Sequence, residues 1–585
     1  MCGIFAISGK NTKNAGEEIL EGLKKLEYRG YDSWGIAVRD EKNKKISVQK
    51  NVGKISNSSP KFSESFEGIG HSRWATHGSV TAENSHPHQA GGITVVHNGI
   101  FENYLSEKKR LQEKGQEFLS ETDTEVIAQL ILEKTSSGDD LFSAVRKVSQ
   151  NITGRFAVLV MKEGEEGIIC ARRGSPLIVG RTENETYLSS DIPAFLSKTS
   201  TVNYIDDDEI AVIKRGEAEF FSLSTGESVL KRDVIVPWKE EFTEKGEFDH
   251  FMMKEIFDQK SSLAAAINHS DESLTKFIEV LQSGNGVYLV ACGTANKMSA
   301  AAEYFFAKIS GRKINVVPAS EMPIFEQFVN DKTVLVAVSQ SGETADVLEI
   351  LERGKAKGAR ILSMTNVESS SIARISEQHL PLNVGIEKAV ASTKASTAQM
   401  ALLLLLAYAD AGKINEGRFA LQALAANAND LINPRYEERV KRVAEKFYKA
   451  KNMFIIGRNS LFPIALESAI KIMEVSYIHA QGFAAGEMKH GPIALIEKDS
   501  PVIVLGDDEE TVSNATELKS RGAKIIGIAP TRAEVFDEWL KVPNAGEAQA
   551  IASLLPVQIL SYYLAIFNNH DPDMPRNLAK SVTVK

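Results

Sequence analysis

Val334-Leu335-Val336-Ala337-Val338-Ser339-Gln340-Ser341-Gly342-Glu343-Thr344 is an apolar run that passes directly into a hydroxyl-rich turn and then into a helical pattern. It reads as a buried strand, a turn and a helix start, the unit from which parallel α/β sheets are built. Such a turn presents unpaired N–H groups and the positive end of a helix dipole, and the hydroxyls of Ser339, Ser341 and Thr344 add donors suited to a phosphate. No lysine lies in the turn, so it is not a nucleotide P-loop. Neutral donors around one anion point to a phosphate monoester on a small molecule such as a sugar phosphate. The plainer alternative is an ordinary capped helix.

Working outward, the second half of the chain repeats itself. Val287 to Ala291 leads into Cys292-Gly293-Thr294, and Met453 to Ile456 leads into Gly457-Arg458-Asn459. Gly354-Lys355-Ala356-Lys357-Gly358-Ala359-Arg360-Ile361-Leu362 is echoed by Leu518-Lys519-Ser520-Arg521-Gly522-Ala523-Lys524-Ile525-Ile526. Two α/β units with parallel strands and crossover helices are expected, over residues 281–425 and 440–575. In the second, Lys471 and Glu474 share one face of a helical stretch from Glu467 to Tyr477. Ile470, Ile472, Met473 and Val475 surround them, so at least one of the two charges is expected to be buried or to line a cavity.

Before the repeat comes a charged boundary, Pro237-Trp238-Lys239-Glu240-Glu241 with Glu244-Lys245-Gly246-Glu247. Phe251, Ile256, Leu263 and Ile267 then recur at helical spacing, giving a linker and one amphipathic connecting helix within residues 236–280. Residues 1–235 read as an α+β domain of short strands, Gly-rich turns and a few helices. Its first strand starts at Cys2-Gly3-Ile4-Phe5-Ala6-Ile7. Removal of Met1 would give Cys2 a thiol and a free α-amine, whose unperturbed pKa of about 7.7 to 8.0 suits a general base. One residue would then supply both nucleophile and base.

Composition narrows the function. The chain has 585 residues, enough for three or four domains, with 43% hydrophobic and 25% charged residues, as in soluble globular proteins. A net charge of −9 without a long basic run argues against nucleic acid or an anionic membrane as partner. Cys2, Cys170 and Cys292 are widely spaced with no CxxC, which fits a reducing cytoplasm better than a disulfide framework or a zinc site. Only Met1 precedes Cys2, so no signal peptide is expected. The run Met400 to Ala409 is half a membrane span and reads as a buried helix. His71, His77, His86, His88 and His97 crowd one region, but their spacing lacks the helical pair of a metalloprotease, and no metal is expected. Asp206-Asp207-Asp208 reads as a solvated turn before a strand from Ile210 to Ile213.

Four clusters complete the first third: Tyr28-Arg29-Gly30-Tyr31-Asp32-Ser33, Arg73-Trp74-Ala75-Thr76-His77-Gly78, His97-Asn98-Gly99 and Glu121-Thr122-Asp123. With Cys2 they resemble the class II, N-terminal-nucleophile glutamine amidotransferases. The resemblance implies that Cys2 attacks the glutamine amide and that Asn98 and the Gly99 N–H form the oxyanion hole. It implies that Arg73 and Asp123 hold the glutamine carboxylate and amine, that Thr76 and His77 line the pocket, and that Trp74 gates the ammonia exit. An Arg fork for a carboxylate and an anion for an ammonium agree with such a substrate independently.

The repeated half resembles the paired sugar isomerase (SIS) domains. Together the halves resemble, end to end, the amidotransferases that pass glutamine nitrogen to fructose 6-phosphate and isomerise the product. That resemblance assigns sugar-phosphate binding to Thr294, Ser339, Gln340, Ser341, Thr344, Val390 and Ala579, with Val390-Ala391-Ser392-Thr393-Lys394 closing over the sugar. It gives Glu474 the proton transfer between C1 and C2, assisted by Lys471, gives ring opening to His490, and gives a Schiff base with the open ketose to Lys580. Residues 576–585 would form a tail at the active site, the subunits would pair as a homodimer through the SIS domains, and no cofactor would be needed. The motifs of asparagine synthetase and of the purine amidotransferase are missing. A sugar-phosphate sensor would not need Glu474, His490 and Lys580 beside an intact Cys2. Two departures, Ala295 where the family has serine and Trp34 where it has a small residue, leave a related ketose phosphate open as substrate.

Overall fold

The computed structural model describes residues 2–236 and 245–582. It falls into two compact units, residues 2–236 with 579–582, and Lys245–Leu578. The boundary segment Pro237 to Glu244 lies outside the described residues.

Among the described residues, the first unit contains two antiparallel sheets of eight and six strands. In the larger, Gly3–Gly9 lies between Glu185–Ser189 and Ser65–Arg73, and Ser65–Arg73 pairs on its other edge with Ser33–Asp40. In the smaller, Ile93–Gly99 lies between the short His88–Ala90 and Phe156–Lys162. Alternation along the strands sorts the side chains into layers. Ile4, Ala6 and Ile69 meet Val96, Ala157 and Leu159 between the sheets. Phe5, Ile7 and Ile36 face Ile19 and Leu23 of the helix Ala15–Lys25, while Val95 and Val158 face Val126, Ile127 and Val148 of Asp123–Ser136 and Leu141–Asn151. The result is helix on sheet on sheet on helix, with Cys2 carried at the end of a central strand. Trp34 shares the outward face with Ile36 and is buried against the helix layer, so this departure lies away from the side toward which Ile4 and Ala6 point.

The second unit holds two five-stranded parallel sheets. In the first, Gly286–Ala291 lies between Asn315–Pro318 and Thr333–Ser339, followed outward by Arg360–Thr365 and Gln378–Pro381. The second repeats that order with Asn452–Gly457 between His479–Ala484 and Pro501–Leu505. In such sheets ligands bind beyond the strand carboxyl ends where the order reverses. Those ends are Cys292-Gly293-Thr294 and the Ser339 turn. One continuous core joins the repeats: Leu289 and Val336 from the first sheet, Ile455 and Ile503 from the second, and the helices Lys394–Asp410 and Gln549–Phe567. The stretch Gly546–Phe567, which includes the latter, is long and apolar enough to cross a bilayer, yet 83% of its most apolar window is buried inside the protein. Met400 to Ala409 is a buried helical segment, as its composition implied.

One expectation needs correction. The connector is two helices, Phe251–Phe257 and Gln259–Ala266, separated at Asp258, and it buries Met252 and Met253 more deeply than Phe251. At the junction the Asp258 carboxylate pairs with Lys254, one turn back, at 3.1 Å and with Lys394 at 2.9 Å. The Asp206-Asp207-Asp208 turn is exposed and leads into the strand Glu209–Lys214, as its composition implied, and its carboxylates make surface pairs, Asp206 with Lys231 at 2.7 Å, Asp207 with Arg172 at 3.3 Å and Asp208 with Arg173 at 2.7 Å.

Candidate functional site

Around Cys2 the expected clusters converge. The thiol donates to the Trp74 carbonyl at 3.4 Å and receives the Trp74 N–H at 3.3 Å. Asn98 donates its Nδ2 to the Cys2 carbonyl oxygen at 3.0 Å, and Arg29 reaches the same oxygen at 3.4 Å. Alternation along Ile93–Gly99 explains the placement. Asn98 shares Val96's face, between the sheets, while His97 points to the helix Asp123–Ser136 and meets Thr124 at 3.0 Å. Gly99 has φ 124, and a Cβ there would lie 2.0 Å from the Arg155 carbonyl oxygen, so only glycine presents this N–H. Burial pushes the Cys2 thiol up, with the Trp74 N–H and Arg73 pulling the other way, so at neutral pH the resting group is a thiol that needs a base.

Arg73 is buried and donates to the carbonyls of His77, Gly78 and Ser79, so the loop after it wraps its guanidinium. The Asp123 carboxylate accepts the Phe101 N–H at 2.8 Å through one oxygen. Thr76 is exposed, and its hydroxyl lies 3.3 Å from His77, whose ring packs edge-on against Tyr104. Glu121 ties the loop down by accepting from the N–H of Ser79 at 3.0 Å and from Asn84 at 2.9 Å. Asp32 accepts the Ala75 N–H at 2.8 Å.

In the second unit, Ser339 ends its strand and its hydroxyl accepts the Gly342 N–H at 3.0 Å while meeting the Thr344 hydroxyl at 3.2 Å. The Ser341 hydroxyl accepts the Glu343 N–H at 3.2 Å. Gly342 has φ 66, and a Cβ there would lie 2.0 Å from the Ser370 hydroxyl. Thr344 precedes the helix Ala345–Ala356 without a side-chain cap, so the turn is not an ordinary capped helix start and the first N–H groups keep their donor capacity. The equivalent turn of the second repeat differs in its cap. There Asp508 caps its own helix through the Thr511 N–H at 3.0 Å, next to Asp507, Glu509 and Glu510. The Asp508 cap uses an N–H of that helix start, whereas the first repeat's helix has no side-chain cap, although Glu343 and Asp346 flank its start.

The helix Leu461–Ser476 buries its charges. Lys471 is 1% exposed and pairs closely with Glu474, and it also lies 3.4 Å from Glu467. Burial opposes its charge, but the two carboxylates outweigh that and push its pKa up to about 12. Glu467 is fully buried, accepts from the Thr294 hydroxyl at 3.0 Å, and is pushed up to about 7 by its burial. Sequence reading passed over Glu467. Its signal was the spacing Glu467, Lys471, Glu474, which puts three charges on one face of an apolar helix. With its hydrogen given to Glu467, the Thr294 oxygen can accept from a sugar hydroxyl.

The loop before Lys394–Asp410 is braced from below. Glu387 accepts the N–H groups of Thr393 at 2.9 Å and Ala395 at 3.0 Å, Glu255 accepts that of Ala389 at 3.2 Å, and the Val390 N–H donates to the Asp573 carbonyl at 3.0 Å. His490 stands exposed just after the short helix Ala485–Lys489, with no hydrogen-bond partner for its ring among the described residues. Ala579 and Lys580 are half-buried and belong to the segment grouped with the first unit.

The SIS domain family model matches residues 281–409 and 446–567, and the glutamine amidotransferase domain model matches 71–197. The chain is 40% identical to the glutamine–fructose-6-phosphate aminotransferase (isomerizing) of Thermus thermophilus over the whole length of both. It belongs to the glutamine–fructose-6-phosphate aminotransferase family. The same enzyme of Aquifex aeolicus is 40% identical, and that of Clostridium acetobutylicum 38%, again over the full length of both chains. Among solved structures, the C-terminal domain of glucosamine-fructose-6-phosphate aminotransferase from Francisella tularensis superposes with a TM-score of 0.53 at 30% identity, covering 56% of this chain and 99% of that one. A Clostridium novyi protein described as a putative tagatose-6-phosphate ketose/aldose isomerase, at 14% identity and a TM-score of 0.52, shares the fold of the repeated half. This family membership explains an N-terminal-nucleophile amidotransferase fold and paired SIS sheets on one polypeptide.

Proposed function

We propose that this enzyme converts glutamine and fructose 6-phosphate to glutamate and glucosamine 6-phosphate, the first step of hexosamine synthesis. The observation that carries the reading is the full-length match, with both halves in the same order over the entire relatives. Residues 1–235 are read as the glutaminase, 236–280 as linker, 281–425 and 440–575 as SIS domains, and 576–585 as the active-site tail. Cys2 attacks the amide carbon, and the Asn98 amide and Gly99 N–H receive the oxyanion. Arg73 and Asp123 hold the substrate's carboxylate and ammonium, while Thr76 and His77 line the pocket. The released ammonia is handed on inside the protein past Trp74, because in water at neutral pH it would be protonated and lose its nucleophilicity.

In the SIS half the uncapped turn of Ser339, Gln340, Ser341 and Thr344 takes the phosphate, with Thr294, Val390 and Ala579 completing the sugar site. His490 opens the ring, Lys580 forms an imine with the ketose carbonyl, ammonia displaces the lysine, and Glu474 moves the proton between C1 and C2 with Lys471 beside it. No pyridoxal phosphate is required, since Lys580 supplies the imine itself. The working enzyme is a soluble, cytoplasmic homodimer paired through its SIS domains. Ala295 favours one second reading, a related ketose phosphate as acceptor. Measuring glutamate and amino-sugar phosphate formed from a panel of ketose phosphates tests both: equal yields in a one-to-one ratio with fructose 6-phosphate support the first, and a preferred different ketose replaces it.

A further inference from the structure

The short strand His88–Ala90 covers the edge of Ile93–Gly99 only from Ile93 to Val95. Beyond it, two imidazoles take the place of a strand. His86 Nδ1 accepts the His97 N–H at 3.3 Å, and His71 Nε2 faces the His97 carbonyl at 3.1 Å. The two rings stack with centroids 4.1 Å apart and planes 26° apart. His71 Nε2 also faces Oδ1 of Asn98 at 3.1 Å, while its Nδ1 is buried with no hydrogen-bond partner among the described residues. Two oxygen acceptors on one nitrogen require that Nε2 carry the hydrogen. Burial, with the Arg73 charge nearby, lowers the His71 pKa to about 3, so the ring is neutral with this single tautomer.

We propose that His71 is a positioning residue for glutamine hydrolysis: its one N–H holds Oδ1 of Asn98 and the His97 carbonyl, and so sets which end of the Asn98 amide faces the nucleophile. This inference rests on the oxyanion role of Asn98 given above. In the resting site the amide is held from both ends, by His71 on its oxygen and by the Cys2 carbonyl on its nitrogen. When a tetrahedral oxyanion takes the Nδ2 hydrogens, the His71 contact is the one that remains. Without it the amide can rotate and turn its oxygen toward developing negative charge. His71 lies opposite Ile4, not Cys2, across the sheet and acts through Asn98, keeping its hydrogen throughout the reaction.

The test uses the full-length enzyme and His71→Phe, which keeps a ring for the stack but has no donor, with His71→Gln as the variant that restores an N–H. Removing an oxyanion donor outright costs about a hundred- to a thousandfold in kcat, and misorienting one should cost about ten- to a hundredfold. His71→Phe should therefore lower kcat for glutamine hydrolysis by that factor with KM within about threefold, and His71→Gln should recover most of the loss. Glutamate γ-semialdehyde supplies a second readout. The Cys2 sulfur bonds to the aldehyde carbon, the C=O π pair moves to oxygen, and the thiol proton goes to the base. Its affinity should fall in parallel with kcat/KM while glutamate affinity holds. Should the Phe variant not fold, His71→Met against His71→Gln makes the same comparison.

An unchanged kcat in the donor-free variant overturns the inference. So does a parallel loss of kcat, KM and glutamate binding that glutamine at position 71 does not relieve, which marks a purely structural histidine. Asn98→Ala separates the two layers: if that variant hydrolyses glutamine normally, the oxyanion reading itself fails and this inference falls with it.

Discussion

The hydroxyl of Thr294 donates to Oε1 of Glu467 at 3.0 Å, joining the first helical turn after one parallel sheet to the charged helix of the other. Glu467 thereby anchors a row in which Lys471 sits between two carboxylates, and the far one, Glu474, retains 16% side-chain exposure.

Glu467→Gln should make stability less dependent on pH. The pKa of Glu467 is raised to about 7 by burial, above its unfolded value, so its contribution is fully present below about 4.5 and is lost as pH rises through about 7. Glutamine keeps an acceptor for Thr294 and removes the charge. Thermal unfolding of the SIS half, followed between pH 5 and 8, should fall with pH in the wild type and flatten in the variant. An unaltered pH slope would show that Glu467 does not titrate there.

Cys2→Ala should abolish glutamine hydrolysis and leave ligand binding to the sugar site intact. The active polypeptide should also begin at Cys2, so that its α-amine is free to act as base. Intact mass decides: fully active protein that retains Met1 contradicts the base assignment.

Glu474→Gln should still cleave glutamine but form no aldose product. Borohydride added with fructose 6-phosphate should leave a stable adduct on Lys580, absent in Lys580→Ala. Undiminished product from either variant removes that residue from the mechanism.

Ala295→Ser should tighten fructose 6-phosphate binding by about two- to tenfold, the worth of one neutral hydrogen bond of about 0.5 to 1.5 kcal/mol. Ala295 is half-buried in the first turn of Gly293–Ile309, next to Thr294, and packs in part against the core of the repeated half. Calorimetry on both proteins measures it; equal or weaker binding by the serine variant would indicate a pocket shaped for another sugar.

Acid should weaken the glutaminase unit well before carboxylates titrate. Burial holds the pKa values of His71, His86, His88 and His97 below their ordinary value. Their contribution is present above about pH 6.5 and lost as pH falls below it, because the unfolded chain takes up protons that the folded one refuses. The slope is at most about 1.4 kcal/mol per pH unit for each imidazole. Urea midpoints for loss of glutamine hydrolysis by the full-length enzyme should drop from pH 7.5 to 5.5, and a constant midpoint would contradict it.

Much of this was legible because it is local. Val334 to Val338 followed by the serine turn fixed a strand, a loop and a helix within one short window, and the echo of Gly354–Leu362 in Leu518–Ile526 predicted the second sheet. Lys471 and Glu474 betrayed themselves through apolar neighbours. Glu467 was equally visible in spacing, but its importance lies in Thr294, far away in sequence. The histidines were conspicuous as a group, yet what His71 and His86 bind is the backbone of His97 at an uncovered sheet edge, which no residue pattern encodes. The brace of Glu255, Glu387 and Asp573 under the Val390 loop is likewise a product of tertiary packing. Apolar periodicity continues past Asp258, so the connector's two short helices look like one in the sequence, and Lys394, which meets Asp258, lies far along the chain.

The helix Gln549–Phe567 also fixes a timetable. It packs directly along Leu461–Ser476, the helix that carries Lys471 and Glu474, yet it is synthesised well after it. Until it arrives, one flank of that charged helix stays in water, and the strong coupling among Glu467, Lys471 and Glu474 is screened. The charged row is therefore complete only once a later-made segment has docked along it, whereas every strand of the two sheets around Cys2 is made before either helix.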